Sequence, residues 1–136
     1  MADYKKPLPT ADQDTKPYWD GCKRHELLIQ RCKDCGKHQF YPRRHCAHCL
    51  SPDSMEWVKS SGKGTVYSFT VTCQNRAPGF KEDVPYVLAY VMLDEGVQMM
   101  TNVVGCKPED VRIDMPVKVV FEDATPEVSI PKFQPV

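Results

Sequence analysis

Apolar and polar residues change rhythm several times along this chain, and each change predicts a different element. Residues 1–14 are polar and interrupted by Pro7 and Pro9, which reads as an extended arm. Thr15-Lys16-Pro17-Tyr18-Trp19 opens a short helix. Thr15 or Asp14 can cap it, and Pro17 is tolerated in its first turn, where the missing N–H has no helical partner. Tyr18 and Cys22 fall on one face, with Trp19 beside them. Gly21 weakens this helix, so it needs a surface to lie on. Leu27–Arg31 and His38–Tyr41 then read as two short hairpin strands, the second stopped by Pro42. Met55–Val58 leads to a turn at Ser61–Gly64.

Beyond that turn the period becomes two. Tyr67, Phe69, Val71 and Cys73 alternate with Ser68, Thr70 and Thr72, which predicts a strand with the first set on one face. Residues 74–84 form a loop that sets Phe80 beside Pro78-Gly79. Pro85–Leu93 is apolar on both faces, as suits a central or covered strand. Asp94-Glu95-Gly96 is a hairpin turn, Val97–Val104 returns, and Pro108–Val111 reads as one helical turn. Pro116–Phe121 alternates again, and Ile130–Pro135 reads as a stiff, partly apolar tail. Four or five strands, a central hairpin and one helical turn before the penultimate strand predict a small Greek-key barrel. Among such barrels the OB-fold fits best.

Cysteine spacing adds what the periodicity lacks. Cys32-Lys33-Asp34-Cys35 is followed, ten residues on, by Cys46-Ala47-His48-Cys49. Each C-x-x-C pair can turn its backbone amides toward its sulfurs, and four thiolates can then close tetrahedrally on one zinc per chain. Gly36, just after the first pair, suits a knuckle turn with positive φ. Strand, knuckle, strand, knuckle is the layout of a zinc ribbon. Such a unit is too small for its own core and takes folding energy from the metal. With Cys32, Cys35, Cys46 and Cys49 as ligands, His38, His45 and His48 are expected to be solvated or to support the ligands from outside. Cys73 and Cys106, on a strand and at a strand end, are expected to be buried as small apolar groups.

Charge narrows the functional classes. Eighteen basic residues balance eighteen acidic ones, which argues against a protein held to nucleic acid by bulk charge. Seven cysteines without a secretory or membrane-spanning segment point to a reducing, cytoplasmic setting. That setting also disfavours two disulfides in place of a metal. No Ser/His/Asp set, Gly-rich phosphate loop or paired-carboxylate motif stands out.

The chain resembles the family known as domain of unknown function thirty-five. The resemblance rests on Tyr18-Trp19-Asp20-Gly21, on Leu28 to Gly36, and on Pro42-Arg43 before Cys46. It continues through Ser61 to Thr70, Pro85-Tyr86, Thr101 to Cys106 and Met115-Pro116-Val117. Ala47 and Asp114 depart from the pattern, where proline and glycine are usual, and neither removes a ligand. The resemblance implies a mainly β chain, with an N-terminal helix and arm in residues 1–26, a rubredoxin-like zinc ribbon in 27–59 and an OB-fold with its tail in 60–136. It also implies a non-catalytic accessory subunit of a thiolase-superfamily acyl-CoA enzyme, a hetero-oligomer in which the partner carries the catalytic groups. A MaoC-type enoyl-CoA hydratase is the alternative partner.

Two sets of site candidates accompany that expectation. Arg43, Arg44, Arg76, Phe80 and Lys81 mix basic and apolar groups on two loops, as contacts to a CoA thioester would. A solvated scatter of charge is the competing account. Tyr18, Trp19 and Phe133 are candidate anchors for the partner subunit, although Tyr18 and Trp19 can equally pack on the chain's own body. Two rival functions remain. One is a nucleic-acid-binding zinc-ribbon and OB module. The other is an iron-holding, rubredoxin-like electron carrier, against which Leu50 stands where rubredoxins carry glycine.

Overall fold

In the computed structural model, residues 4–136 are described; residues 1–3 of the arm lie outside them. Helix α1 spans Lys16–Lys23. Its start is tied by Asp12, not by the side chain of Thr15 or Asp14. The Asp12 carboxylate accepts the Thr15 N–H at 2.8 Å, the Asp14 N–H at 3.0 Å and the Thr15 hydroxyl at 3.0 Å. These bonds, those from Thr15 foremost, hold its carboxyl below the usual range. Gly21, which weakens the helix, is also what lets it pack. A Cβ there would lie 2.8 Å from Leu28 Cγ, so only glycine permits this approach to the next strand.

Three strands make the first sheet: β1 (Leu28–Cys32), β2 (His38–Gln39) and β3 (Met55–Lys59), in the order β2-β1-β3. The β1–β2 hairpin matches the expectation. β3 joins it as a third strand, with Trp57 opposite Gln30, so the segment leaving the ribbon belongs to the ribbon's sheet. Ser60–Gly62 then forms a fixed corner. Glu95 accepts the Ser60 hydroxyl and the Ser61 N–H, each at 2.8 Å.

Five strands close a barrel: β4 (Lys63–Thr72), β5 (Tyr86–Leu93), β6 (Gln98–Val103), β7 (Pro116–Asp123) and β8 (Ser129–Pro135), in the order β4-β5-β6-β8-β7. A 3₁₀ turn at Pro108–Asp110 precedes β7, where one helical turn was expected. Closure removes the exposed edges that an open sheet would carry.

Two expectations about the strands are corrected. The C-terminal tail is strand β8, antiparallel to β7 and parallel to β6 at Val103–Phe133. Pro131 and Pro135 lie within it, and the alternate residues Ser129, Pro131 and Phe133 turn into the core while Ile130 and Lys132 are half-exposed. The facing of β4 also changes partway. A bulge at Tyr67, between Val66 and Ser68, shifts the register against β5. Val66 is therefore buried and Tyr67 exposed, although Phe69 and Val71 beyond the bulge are half-buried against the core. An extra residue reverses the faces of everything before it.

One apolar cluster runs through both modules, from Tyr18, Cys22, Leu27 and Ile29 to Val66, Val91, Leu93, Met99, Val117 and Phe133. Trp57 packs against it from the ribbon side. At the same junction His25 Nε2 meets Asp123 Oδ1 at 2.7 Å, and its ring stacks on Phe121.

Candidate metal centre and neighbouring surfaces

The four cysteines reach one point because β1 and the two knuckles deliver them there. Cys32 ends β1, and the chain turns at Gly36, whose φ is +76°. The second knuckle repeats that turn at Leu50, with φ +63°. The ligand atoms of Cys32, Cys35, Cys46 and Cys49 all lie within 4.8 Å of one another. Cys32–Cys49 is 3.7 Å and Cys35–Cys46 is 3.6 Å, sulfur to sulfur. A regular tetrahedron with Zn–S bonds of about 2.3 Å has edges of about 3.8 Å, so the spacing fits a tetrahedral zinc. Both separations are far longer than the ~2.05 Å of a disulfide bond. Cys32 and Cys46 are buried, Cys35 and Cys49 exposed.

Backbone amides point at the sulfurs. The Cys35 N–H meets Cys32 Sγ at 3.4 Å, and the N–H groups of His48 and Cys49 meet Cys46 Sγ at 3.3 and 3.4 Å. The Ser54 hydroxyl lies 3.2 Å from Cys32 Sγ. The Ser54 hydroxyl first, and then the Cys35 amide, bring the Cys32 thiol down to about 6. The Cys49 and His48 amides also lower Cys46. Groups that favour thiolate favour a soft cation.

Sequence reasoning missed the device that holds the second knuckle. Gln30 and Gln39 are both buried, facing each other across β1 and β2. Gln30 Oε1 accepts Gln39 Nε2 and the Arg43 N–H, each at 2.8 Å, while Gln30 Nε2 donates to the Arg43 carbonyl at 2.9 Å. Gln39 Oε1 accepts the Ala47 N–H at 2.8 Å. The two amides thus fix the backbone on both sides of Cys46. The available signal was a glutamine at a core-facing position in each short strand. The histidines serve the frame: the His48 ring bonds the His38 carbonyl at 3.2 Å.

The other candidates are dispersed. Tyr18 and Phe133 lie inside the chain's own core, 6% and 0% exposed, so neither can anchor a partner. The helix needs Tyr18 against Phe40 and Trp19, and the closed barrel needs Phe133. Trp19 stays half-buried beside a groove. The burial expected for the remaining thiols fails: Cys73 is exposed and Cys106 only half-buried, because both lie just past the barrel strands. Cys22 is the buried thiol, pushed up to about 12 by desolvation. Arg44 pairs with Asp53 at 3.2 Å. Of Arg43, Arg44, Arg76, Phe80 and Lys81, Phe80 alone lines the large groove.

An exposed apolar face appears elsewhere. Tyr67, Tyr90 and Met100 are 55%, 44% and 48% exposed on the neighbouring strands β4, β5 and β6. Tyr90 stands opposite Met100 and beside the bulge that carries Tyr67. Ser129, Asp123 and His25 form another polar group, in which the carboxylate accepts from the hydroxyl at 2.6 Å and meets the imidazole. The carboxylate stands between the other two, so the hydroxyl has no imidazole on it to act as base.

Known proteins share this arrangement. Residues 19–56 match the rubredoxin-like zinc ribbon domain of ChsH2, and residues 57–122 its C-terminal OB-fold domain. A DUF35 domain-containing scaffold protein of Methanocaldococcus jannaschii is 42% identical over 73% of this chain and 70% of its own length. A probable enoyl-CoA hydratase alpha subunit of Thermomonospora curvata is 37% identical over 96% of this chain. The chain spans only 40% of that relative's length. A solved structure described as an Ltp2-ChsH2(DUF35) aldolase superposes with a TM-score of 0.84 at 36% identity, over 93% of this chain and 98% of that one. The chain therefore belongs to the DUF35 family, built as a ChsH2-type zinc ribbon followed by an OB-fold barrel.

Proposed function

We propose that the protein is a zinc-binding accessory subunit of a thiolase-superfamily acyl-CoA enzyme, supporting assembly and CoA-substrate binding while the partner supplies the catalytic groups. The observation that carries this reading is the match along nearly the whole chain to one chain of the Ltp2-ChsH2(DUF35) aldolase. One zinc per chain, held by Cys32, Cys35, Cys46 and Cys49, serves folding rather than chemistry, since four protein ligands leave no open position. The hydratase alpha subunit favours a second reading, in which a MaoC-type enoyl-CoA hydratase takes the partner's place.

The docking surface we assign to that partner is the Tyr67–Tyr90–Met100 face, with Trp19 on the groove as a separate candidate anchor. Aromatic residues and methionine are enriched at such interfaces, and single exposed apolar residues gain meaning when they adjoin. The CoA thioester would meet Phe80 together with Arg76 and Lys81 of the same loop, and Arg43 and Arg44 of the ribbon. Co-expression with thiolase-type and hydratase-type subunits, followed by size-exclusion chromatography, tests the reading. Co-elution with one of them is expected. Tyr90→Lys or Trp19→Ala should weaken that association by about 2 kcal/mol or more if these residues are hot spots. Two proteins that elute separately, each fully active alone, would end the proposal. A Trp19→Ala variant that only melts earlier and still assembles would confine Trp19 to packing.

A further inference from the structure

Residues 4–9 of the polar arm are not free: they line one side of a groove on the barrel. This groove, of about 780 Å³, falls in the size range of small-molecule pockets. Tyr4, Lys6, Pro7, Leu8 and Pro9 form one wall, and Trp19, Phe80, Tyr86, Val104, Cys106 and Ile130 belong to the barrel side. The contact is close. Gly79 has φ +86°, and a Cβ there would lie 2.9 Å from both Lys6 N and Lys6 Cγ. Lys6 pairs with Asp83, and its ammonium sits 5.6 Å from the Phe80 ring centre.

The attachment is nevertheless made by side chains. Among the described residues, no backbone hydrogen bond joins 5–11 to the barrel. The Lys6–Asp83 pair is partly open to water on its Asp83 side, at 46%. Segments held in this way belong to the least stable part of a fold. The groove's charges are already matched. Lys6 is bound to Asp83, and Lys132 to Glu122 at 2.7 Å. The Asn102 amide donates to the Val87 carbonyl at 2.9 Å. A phosphate or carboxylate would have to break one of these pairs, whereas an uncharged apolar chain would not.

We propose that residues 4–9 are a removable strap, latched by Lys6 on Asp83 and Phe80, and that the groove beneath takes a neutral, elongated apolar ligand when the strap lifts. This does not depend on the identity of the partner subunit. Cys106 lines the groove and is half-buried, so its thiol reports on access. The experiment measures alkylation of Cys106 by N-ethylmaleimide in the zinc-loaded full chain carrying Cys73→Ser. Lys6→Glu should raise the rate by up to about fivefold, the most that one such ion pair supports. The swap Lys6→Glu/Asp83→Lys should bring it back toward the starting rate. Gly79→Ala, which pushes on the strap without changing charge, should act in the same direction as Lys6→Glu. The uncharged probe N-phenyl-1-naphthylamine should bind Lys6→Glu more tightly than the parent and slow the alkylation. A Cys106 rate that ignores both Lys6→Glu and Gly79→Ala overturns the latch. A probe that leaves Cys106 unprotected in the opened variant overturns the ligand site.

Discussion

The ribbon and the barrel hold together by different means, although one apolar cluster touches both. In the ribbon the fully buried groups include two cysteines, with buried Gln30, Gln39 and Ser54 around them. Its sheet has only five-residue strands and one two-residue strand. Nothing there excludes enough water to fold alone, so its order depends on four thiolates closing on a cation. In the barrel the fully buried groups are Phe133, Leu93, Met99, Val66, Val91 and Val117, and every strand has two neighbours. Its order comes from apolar area removed from water, which needs no ion. Helix α1 belongs to both, with Tyr18 against Phe40 of the ribbon and its end tied to β7 through His25 and Asp123.

The largest effect that can break this comparison is loss of the metal. Cys46→Ser, or chelation of the purified protein, should abolish amide-exchange protection in residues 28–59 while β4–β8 stay protected. The loss is of the order of the ~10 kcal/mol that structural zinc contributes to small metal-folded units. Metal analysis of the intact chain should give one zinc. A ribbon that keeps its protection and its cooperative melt after chelation would place its stability in packing after all.

A smaller effect, of opposite location, is expected at Phe133. Phe133→Ala removes the largest fully buried side chain and should cost about 3–5 kcal/mol of barrel stability, read from denaturant unfolding. Zinc content should not change, because the cysteine cluster does not depend on β8. A Phe133→Ala protein that releases its zinc in the same transition in which its barrel unfolds would mean that the two regions form one folding unit.

The smallest effect sharpens the contrast inside the ribbon. Gly36 and Leu50 adopt the same left-handed turn, at φ +76° and +63°, but only glycine does so without strain. Leu50 is 74% exposed, so its side chain contributes little to offset that cost. Leu50→Gly should stabilise the zinc-loaded ribbon by roughly 0.5–1 kcal/mol, since the strain removed exceeds the entropy that glycine adds to the unfolded chain. Slower zinc release in a chelator competition checks it. An unchanged or faster release would show that the second knuckle carries no strain.

The chain's own order of residues settled most of what depends on near neighbours, the helix cap at Asp12 excepted. The spacing of Cys32, Cys35, Cys46 and Cys49 defined a convergent thiolate set, and Gly36 the turn that forms it. Period-two segments defined β4 and β7, the apolar run Pro85–Leu93 defined β5, Asp94-Glu95-Gly96 the hairpin that returns as β6, and Gly21 a helix that had to be supported. These are interactions over a few residues, written directly in spacing and residue type. What the tertiary structure decided involved partners far away in the chain. Ile130–Pro135 looked like a tail because its prolines suit one, and it became a strand because β6 and β7 leave a gap that only it closes. Tyr67 turned outward because a bulge is set by the register against β5, which no local pattern displays. Tyr18 and Phe133 went to the core, and the Tyr67–Tyr90–Met100 face came to the surface, for the same reason. Burial belongs to the assembled barrel, and an apolar residue carries no mark of which side of it will be covered.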